Sequence, residues 1–224
     1  MKKFLVLIFA LFIGTNAFAD FLMSESKFYQ NVDRVTAMGA KIIKDNNLKR
    51  VPIILTPANK TINACSSKYY KTVTIYTGIL PYLDNDDELA YILAHEISHS
   101  MEAYDGAIKI YIAMRFNSKK YEYKADLNGI DYMVKSGYNP IAAIIAAGKI
   151  FAEPLWDWGF TSTHPKGSKR MLEMYKYIYV KYPKYLQSDM TQNIVYQNFL
   201  NSQSFEIKKF EQKQKRRDLN KEDI

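Results

Sequence analysis

Hydrophobic residues recur at three- and four-residue spacings over most of the chain, and this periodicity predicts helices. The segments with this pattern are Ser24–Asn46, a helix starting near Asp84, and residues 119–135, 140–152 and 169–182. Asp84, Asn85 and Asp86 are favourable N-cap residues, and the run Ser136–Pro140 is a typical helix stop. Most of the chain is therefore expected to be helical.

Short β-branched runs between the first two helices predict strands. They occupy Val51–Thr56 and Lys71–Thr77, and a third extended stretch is expected at Thr61–Ala64. The resulting fold class is α+β, mostly helical, with a small β-sheet.

The first 19 residues have the pattern of a signal peptide. Basic Lys2 and Lys3 precede an apolar run from Phe4 to Ile13, and Ala17 and Ala19 supply the small residues that signal peptidase requires. The apolar run is too short to span about 30 Å of hydrocarbon, so an uncleaved anchor is disfavoured. We expect cleavage before Asp20, export to the periplasm or the medium, and no transmembrane span in the mature chain.

The charge distribution bears on partners and on domain boundaries. The formal net charge of +8 is concentrated in Lys208–Arg217, which holds six basic residues and one acidic residue. The rest of the chain is close to neutral, so no nucleic-acid partner is expected. We expect one domain over residues 20–183 and an extension over 184–224 that ends in a basic, partly disordered tail. A rival hypothesis is that this tail binds an anionic surface.

A His-Glu-x-x-His pattern at His95–His99 carries the clearest chemical signal. Histidines four residues apart lie about 40° apart around a helix, so His95 and His99 can hold one metal ion. Glu96 lies close enough on the helix to face a water on that ion without binding the ion. The alternative is two core histidines and a chance glutamate, but the helical context favours one zinc ion per chain.

A catalytic zinc usually has three protein ligands and one open position. Glu122 and Asp126 offer two carboxylates, four residues apart, on one face of a later helix. A solvated acidic pair is the alternative interpretation. It is disfavoured because apolar residues occupy the same side of that helix, namely Ala125, Gly129, Ile130, Met133 and Val134.

With these motifs the sequence resembles the HtpX-like and CAAX prenyl protease-like zinc metallopeptidases. The resemblance covers about Val51–Tyr175 and includes the His95–His99 motif, Glu122–Asp126, and Ser162–Pro165 followed by Arg170. It implies a zincin-like domain with an active-site helix, from the soluble, exported branch of the family.

The resemblance also implies roles at the metal. His95, His99 and Glu122 would be the zinc ligands, and Glu96 the general base. Asp126 would hydrogen-bond a ligand imidazole and so fix its orientation.

Further roles follow from the same resemblance for residues outside these motifs. His164 would face the metal from the opposite wall, and Arg170 matches the family's arginine. For His164 an oxyanion donor, a metal-capping switch and a structural role all stay open. Asn63 and Ala64 match a pair on an edge strand to which a peptide substrate can add.

These expectations define a function. The chain would be a zinc-dependent endopeptidase of the gluzincin type, acting in protein quality control on unfolded or misassembled envelope proteins. The alternative is a chaperone-like or scaffold role beside an envelope-protein partner, with proteolysis secondary or suppressed.

Overall fold

The computed structural model describes the backbone of residues 2–67, 69–102, 107–150 and 167–222, and the side chains of residues 24–67, 69–102, 119–150 and 167–219. The elements in these ranges are α1 (Lys2–Asp45), β1 (Ile53–Thr56), β2 (Ala64–Ser67), β3 (Thr72–Tyr76), α2 (Asp86–Glu102), α3 (Ala107–Lys135), α4 (Ile141–Ile150), α5 (Gly167–Lys181), α6 (Ile194–Ser202) and α7 (Ser204–Glu222). Short 3₁₀ helices occupy Thr77–Tyr82, Pro183–Gln187 and Asp189–Gln192. The predicted fold class, α+β and mostly helical, is confirmed.

Helix α1 covers the helix expected at Ser24–Asn46 except for its last residue, and it extends N-terminally to Lys2. Val35 and Ile42 on its inner face are fully buried, as its hydrophobic spacing predicted. The expected cleavage site before Asp20 lies within this helix. Processing at that site stays a prediction. Among the described residues, no helix combines the length and apolarity needed to cross a bilayer.

The sheet has the strand order β1-β3-β2, with β1 parallel and β2 antiparallel to the central strand β3. Val73 and Ile75 of β3 are fully buried, whereas β2 lies at an edge. The extended stretch expected at Thr61–Ala64 corresponds to β2, which occupies Ala64–Ser67 instead. The expected start at Thr61 was therefore wrong. The reason is a turn in which the Thr61 amide donates to the Ala58 carbonyl at 2.9 Å, before pairing with β3 starts.

Helix α2 lies at the centre of the molecule and packs against α1, α3, α4, β2 and β3. Its N-terminus is capped by Asn85, whose side chain accepts from the Glu88 amide at 3.0 Å. Leu89, Leu93 and Ile97, spaced four residues apart on one side of the helix, are fully buried. The helix is therefore held rigidly on several sides, and this fixes the motif that it carries.

The next helices cover α2. Ala125, Ile130 and Met133 of α3 are fully buried, and α3 ends at Lys135, two residues before Gly137, whose φ of 82° suits glycine. Residues 141–147 of α4 are all buried, as expected for a helix that is apolar all round. Helix α5 packs on both α3 and α4.

The tail expected to be partly disordered from Lys208 is helical in the structure, as part of α7. Ile207 is buried, and the hydroxyl of Tyr175 donates to Glu211 at 2.6 Å. The composition of the segment suggested solvation, but Glu, Lys, Gln and Arg are also good helix formers, and one apolar side anchors the helix. Tyr196 and Phe199 of α6 join the same core as α4 and α5.

Candidate metal centre

His95 and His99 lie one turn apart on α2, both almost fully buried, at 6% and 9% exposure. Their ring centroids are 4.7 Å apart, and the ring planes are nearly perpendicular. Both imidazoles are therefore largely shielded from bulk water. The two rings converge on one side of the helix, as their spacing predicted.

Glu122 of α3 completes a three-donor cluster with these histidines. Its carboxylate oxygens lie 3.6 Å from Nε2 of His95 and 3.5 Å from Nε2 of His99. Three potential ligand atoms, one from each residue, all lie within 4.8 Å of one another. Donors bound to a tetrahedral zinc at about 2.1 Å are separated by about 3.4 Å, so the observed spacing fits that ion. The donor set of two imidazoles and a carboxylate also suits a catalytic zinc site.

The other nitrogen of each ring faces a second carboxylate. Nδ1 of His95 lies 2.9 Å from Oδ1 of Asp126, and Nδ1 of His99 lies 3.6 Å from Oε2 of Glu102. This arrangement leaves both Nε2 atoms directed at Glu122. Asp126 thus faces Nδ1 of His95, on the side of the ring away from the cluster, as the sequence resemblance implied. Glu122 faces Nε2, on the side where a metal would bind.

Arg170 of α5 joins the two carboxylates of α3. Its Nε and Nη2 bind Asp126 in a bidentate manner at 2.8 and 2.6 Å, and its Nη1 lies 3.2 Å from Glu122. Arg170 is only 2% exposed. The buried hydroxyl of Tyr91 donates to Asp126 at 2.8 Å. Asp126 is therefore held on several sides, and it can fix His95 without moving.

The charges within the cluster keep its carboxylates ionised. Burial raises the pKa of Asp126, but hydrogen bonds with His95 and Arg170 outweigh it and hold the pKa well below the usual range. Burial also opposes ionisation of Glu122, yet His99, His95 and Arg170 lower its pKa to about 2. Burial lowers the pKa of His99, whereas Glu102 and Glu122 raise it to about 9. Glu122 and Asp126 are therefore ionised at neutral pH.

Glu96 differs from its neighbours on α2 in exposure. From Glu88 to Ser100 it is the only residue that is not buried. It can thus meet solvent or a substrate while the ligands on either side stay fixed, which is the placement that a proton-transferring carboxylate needs.

Asn63 and Ala64 lie where edge strand β2 begins. The Asn63 carbonyl accepts from the Tyr76 amide at 3.2 Å, and β2 packs against α2. Asn63 is exposed and Ala64 is half-buried. The edge position agrees with the expectation for both residues, and their contact with a substrate stays a prediction. His164 falls outside the described residues, so its three alternative roles stay open.

Sequence reasoning missed Glu102 and Tyr91. Glu102 follows His99 by three residues, a spacing that puts side chains next to each other on a helix and could have identified it. Tyr91 precedes His95 by four residues, but its pattern in sequence is that of any core aromatic. Its partner Asp126 comes from another helix and gives no local signal.

Comparison with known proteins agrees with this geometry. The sequence model of Peptidase family M48 matches residues 30–105 and 102–178, which is more than half of the chain. The mitochondrial metalloendopeptidase OMA1 of Arabidopsis thaliana is 26% identical in an alignment 128 residues long, with a coverage of 44% of this chain and 26% of that protein. The match thus spans about a quarter of the relative's length. No solved structure matches the chain significantly. With a three-donor cluster built on a His-Glu-x-x-His helix, the chain belongs to peptidase family M48.

Proposed function

We propose that this protein is a zinc-dependent endopeptidase of the gluzincin type, with His95, His99 and Glu122 as ligands and Glu96 as general base. The observation that carries the proposal is the convergence of three buried or largely buried donors at a spacing that suits a tetrahedral ion, beside one half-buried glutamate. Membership of family M48 supports the same activity.

The chain's own residues would divide the work of peptide hydrolysis. A zinc ion held by the three ligands would supply a Lewis acid that polarises the scissile carbonyl and makes water more acidic. Glu96 would take the proton from the attacking water and deliver it to the leaving amine. Asp126 and Arg170 would keep His95 and Glu122 in place throughout, because their buried ion pair restrains both.

The substrate of this reaction would be an extended protein segment. Strand β2 lies at an edge of the sheet and packs against the helix that bears the motif. A peptide that pairs with this edge, starting at Asn63 and Ala64, would run alongside α2. Such pairing needs main-chain groups in an extended conformation, which unfolded or misassembled proteins provide.

The proposed place of action is the cell envelope, on the strength of the pattern in residues 1–19. N-terminal sequencing of the protein recovered from outside the cytoplasm tests this, since a mature chain should begin at Asp20. Recovery of the unprocessed chain in the cytoplasm would contradict both the export and an envelope substrate.

The central experiment compares wild type with Glu96→Gln on unfolded casein. We expect zinc content to be unchanged and cleavage to fall by about 10²-fold or more, because a general base is lost and no ligand is. Glu173→Gln, on an exposed carboxylate of α5, is the matched control and should cleave as wild type does. Turnover by Glu96→Gln near the wild-type rate would refute the assignment.

The same experiment addresses the chaperone-like alternative. That role would be indicated if the wild-type protein holds zinc but does not cleave casein. In that case wild type and Glu96→Gln should suppress the aggregation of casein equally well.

A further inference from the structure

Glu102 is a buried carboxylate that the reaction described above does not use. It is the last residue of α2 and only 3% exposed, with Oε2 3.6 Å from Nδ1 of His99. The other nitrogen of that ring lies 3.5 Å from Glu122. His99 therefore lies between two carboxylates, one on the metal side and one behind.

His95 has the same arrangement with different partners. Its Nε2 faces Glu122 at 3.6 Å, and its Nδ1 faces Asp126 at 2.9 Å. Both histidines thus present Nε2 to the cluster and Nδ1 to a carboxylate that is almost fully buried. A carboxylate in that place fixes which nitrogen carries the proton and which is free to bind metal.

Two nitrogen-bearing side chains face the carboxylate of Glu102. Nζ of Lys124 lies 3.8 Å from its Oε1, and the lysine side chain is half exposed. Burying a carboxylate without compensation is costly, so a cation beside it is expected. The Lys124 ammonium therefore lies near one oxygen of Glu102 and the His99 imidazole near the other.

We propose that Glu102 is a positioning residue that accepts the Nδ1 proton of His99 and so presents Nε2 to the metal. This inference rests on the proposed zinc site and goes beyond it, because it assigns to His99 the counterpart of the Asp126 interaction with His95. The helix itself sets this pairing through the three-residue spacing, whereas His95 depends on a residue from α3.

The test measures zinc affinity of the full chain by competition with a chelator. Glu102→Ala should weaken binding by about 10- to 100-fold, the usual effect of losing such a partner. Glu102→Gln should reduce zinc affinity less than Glu102→Ala does, because the amide oxygen of glutamine can still accept a hydrogen bond from Nδ1 of His99. Glu211→Gln, which alters a carboxylate bonded to Tyr175, is the control and should leave zinc affinity unchanged. Unchanged affinity in Glu102→Ala overturns the proposal.

A second measurement does not depend on how well the variants fold. Nitrogen chemical shifts of the histidines in zinc-loaded wild type should show Nδ1 of His99 protonated and Nε2 bound to metal. The opposite tautomer would overturn the proposal. If zinc binds in this way but casein is not cleaved, the proposed peptidase function fails while the positioning role stands.

A separate observation concerns the outward face of α7. The packed side of this helix is formed by Ile207, Phe210, Glu211 and Gln214, which are buried or half-buried. The six basic residues of 208–217 are all exposed. Phe205 and Leu219 near the two ends of the helix are also exposed, at 74% and 62%. The outward face therefore combines many cations with two large apolar side chains.

We infer that this face binds an anionic bilayer surface. Cations on long side chains can meet lipid phosphates, while Phe205 and Leu219 enter the interface between headgroups and acyl chains. The apolar pair favours a bilayer over a nucleic acid, which offers no comparable apolar layer. Contacts of α7 with Tyr175 and Tyr179 hold the opposite side on the protein, so the face is presented rigidly.

Sedimentation of the full chain with vesicles tests this inference. Vesicles containing phosphatidylglycerol should bind the protein in a salt-sensitive manner, whereas phosphatidylcholine vesicles should not. Changing five outward cations to Gln should weaken binding by about fivefold per charge removed; these are Lys208, Lys209, Lys213, Lys215 and Arg216. The matched control changes five exposed lysines elsewhere to Gln, namely Lys27, Lys44, Lys60, Lys119 and Lys120.

A separate double variant tests the two exposed apolar side chains, Phe205 and Leu219. Phe205→Ala with Leu219→Ala should also weaken vesicle binding while leaving the charge intact. Absence of binding to anionic vesicles, an equal loss in the lysine control, or binding to duplex nucleic acid alone would each overturn the inference.

Discussion

Gly129 of α3 lies directly against the backbone of His95. A Cβ atom added at Gly129 would lie 3.3 Å from the His95 nitrogen and 3.5 Å from its Cα. This close approach lets the two helices bring His95, Glu122 and Asp126 together. The separation of α2 and α3 thus controls the geometry of the metal centre.

Gly129→Val should therefore destabilise the protein and weaken zinc binding. Helix propensity alone favours valine over glycine, but added atoms would push α3 away from α2, at a cost of about 1–3 kcal/mol. Thermal unfolding of the metal-free chain and chelator competition measure the two effects. Lys120→Val, at an exposed position of the same helix, should change neither. A stabilised Gly129→Val protein with normal zinc affinity would contradict this account.

Removing Glu122 should reduce zinc retention more than removing Asp126. Glu122→Ala leaves only two protein ligands. Asp126→Ala leaves three ligands but no longer holds His95 in place, so zinc affinity should fall by about 10- to 100-fold. Zinc content after dialysis against a graded series of chelator concentrations gives the order. The reverse order would mean that Asp126 is the ligand.

Asp126→Ala should also cost stability, because it leaves Arg170 buried with a weaker set of partners. Breaking a buried ion pair on one side typically costs about 3–5 kcal/mol. Adding Arg170→Met should recover part of that loss, since the buried guanidinium that lost Asp126 is then removed, but not all of it, because Glu122 loses the same partner. Zinc affinity should not recover, because His95 still lacks its carboxylate. Urea unfolding of the two variants separates these effects, and equal stabilities would show that the charge on Arg170 is compensated elsewhere.

Zinc should stabilise the wild-type fold. Ligands from α2 and α3 come together only in the folded chain, so zinc at about 100 times its dissociation constant would add about 2.7 kcal/mol. Adding a chelator should lower the melting temperature, and restoring zinc should reverse the change. A melting temperature indifferent to zinc would argue against binding at this cluster.

His164→Ala distinguishes the roles left open for that residue. An oxyanion donor acts only in the transition state, so we expect kcat to fall by about 10²- to 10³-fold with zinc retained. A histidine that caps the metal would instead give higher activity when removed. Parallel measurements of kcat and zinc content decide between these, and unchanged values of both would leave a structural role.

The sequence by itself determined what is local in the chain. The periodicity located α2 to α5 and the fold class, because burial of one helix face imposes spacings visible in sequence. The four-residue separation of His95 and His99 likewise determined that both rings share one side of a helix, and the motif pattern led to the zinc hypothesis.

Tertiary structure decided what depends on contact between helices. Asp126 could lie on the metal side or behind a histidine until the packing of α3 on α2, and the ion pair with Arg170 from α5, placed it behind His95. Helix α7 was missed because its composition suggested a solvated chain, whereas Ile207 and the Tyr175 hydrogen bond anchor it. Such contacts join residues far apart in sequence, and spacing along the chain carries no information about their distance in space.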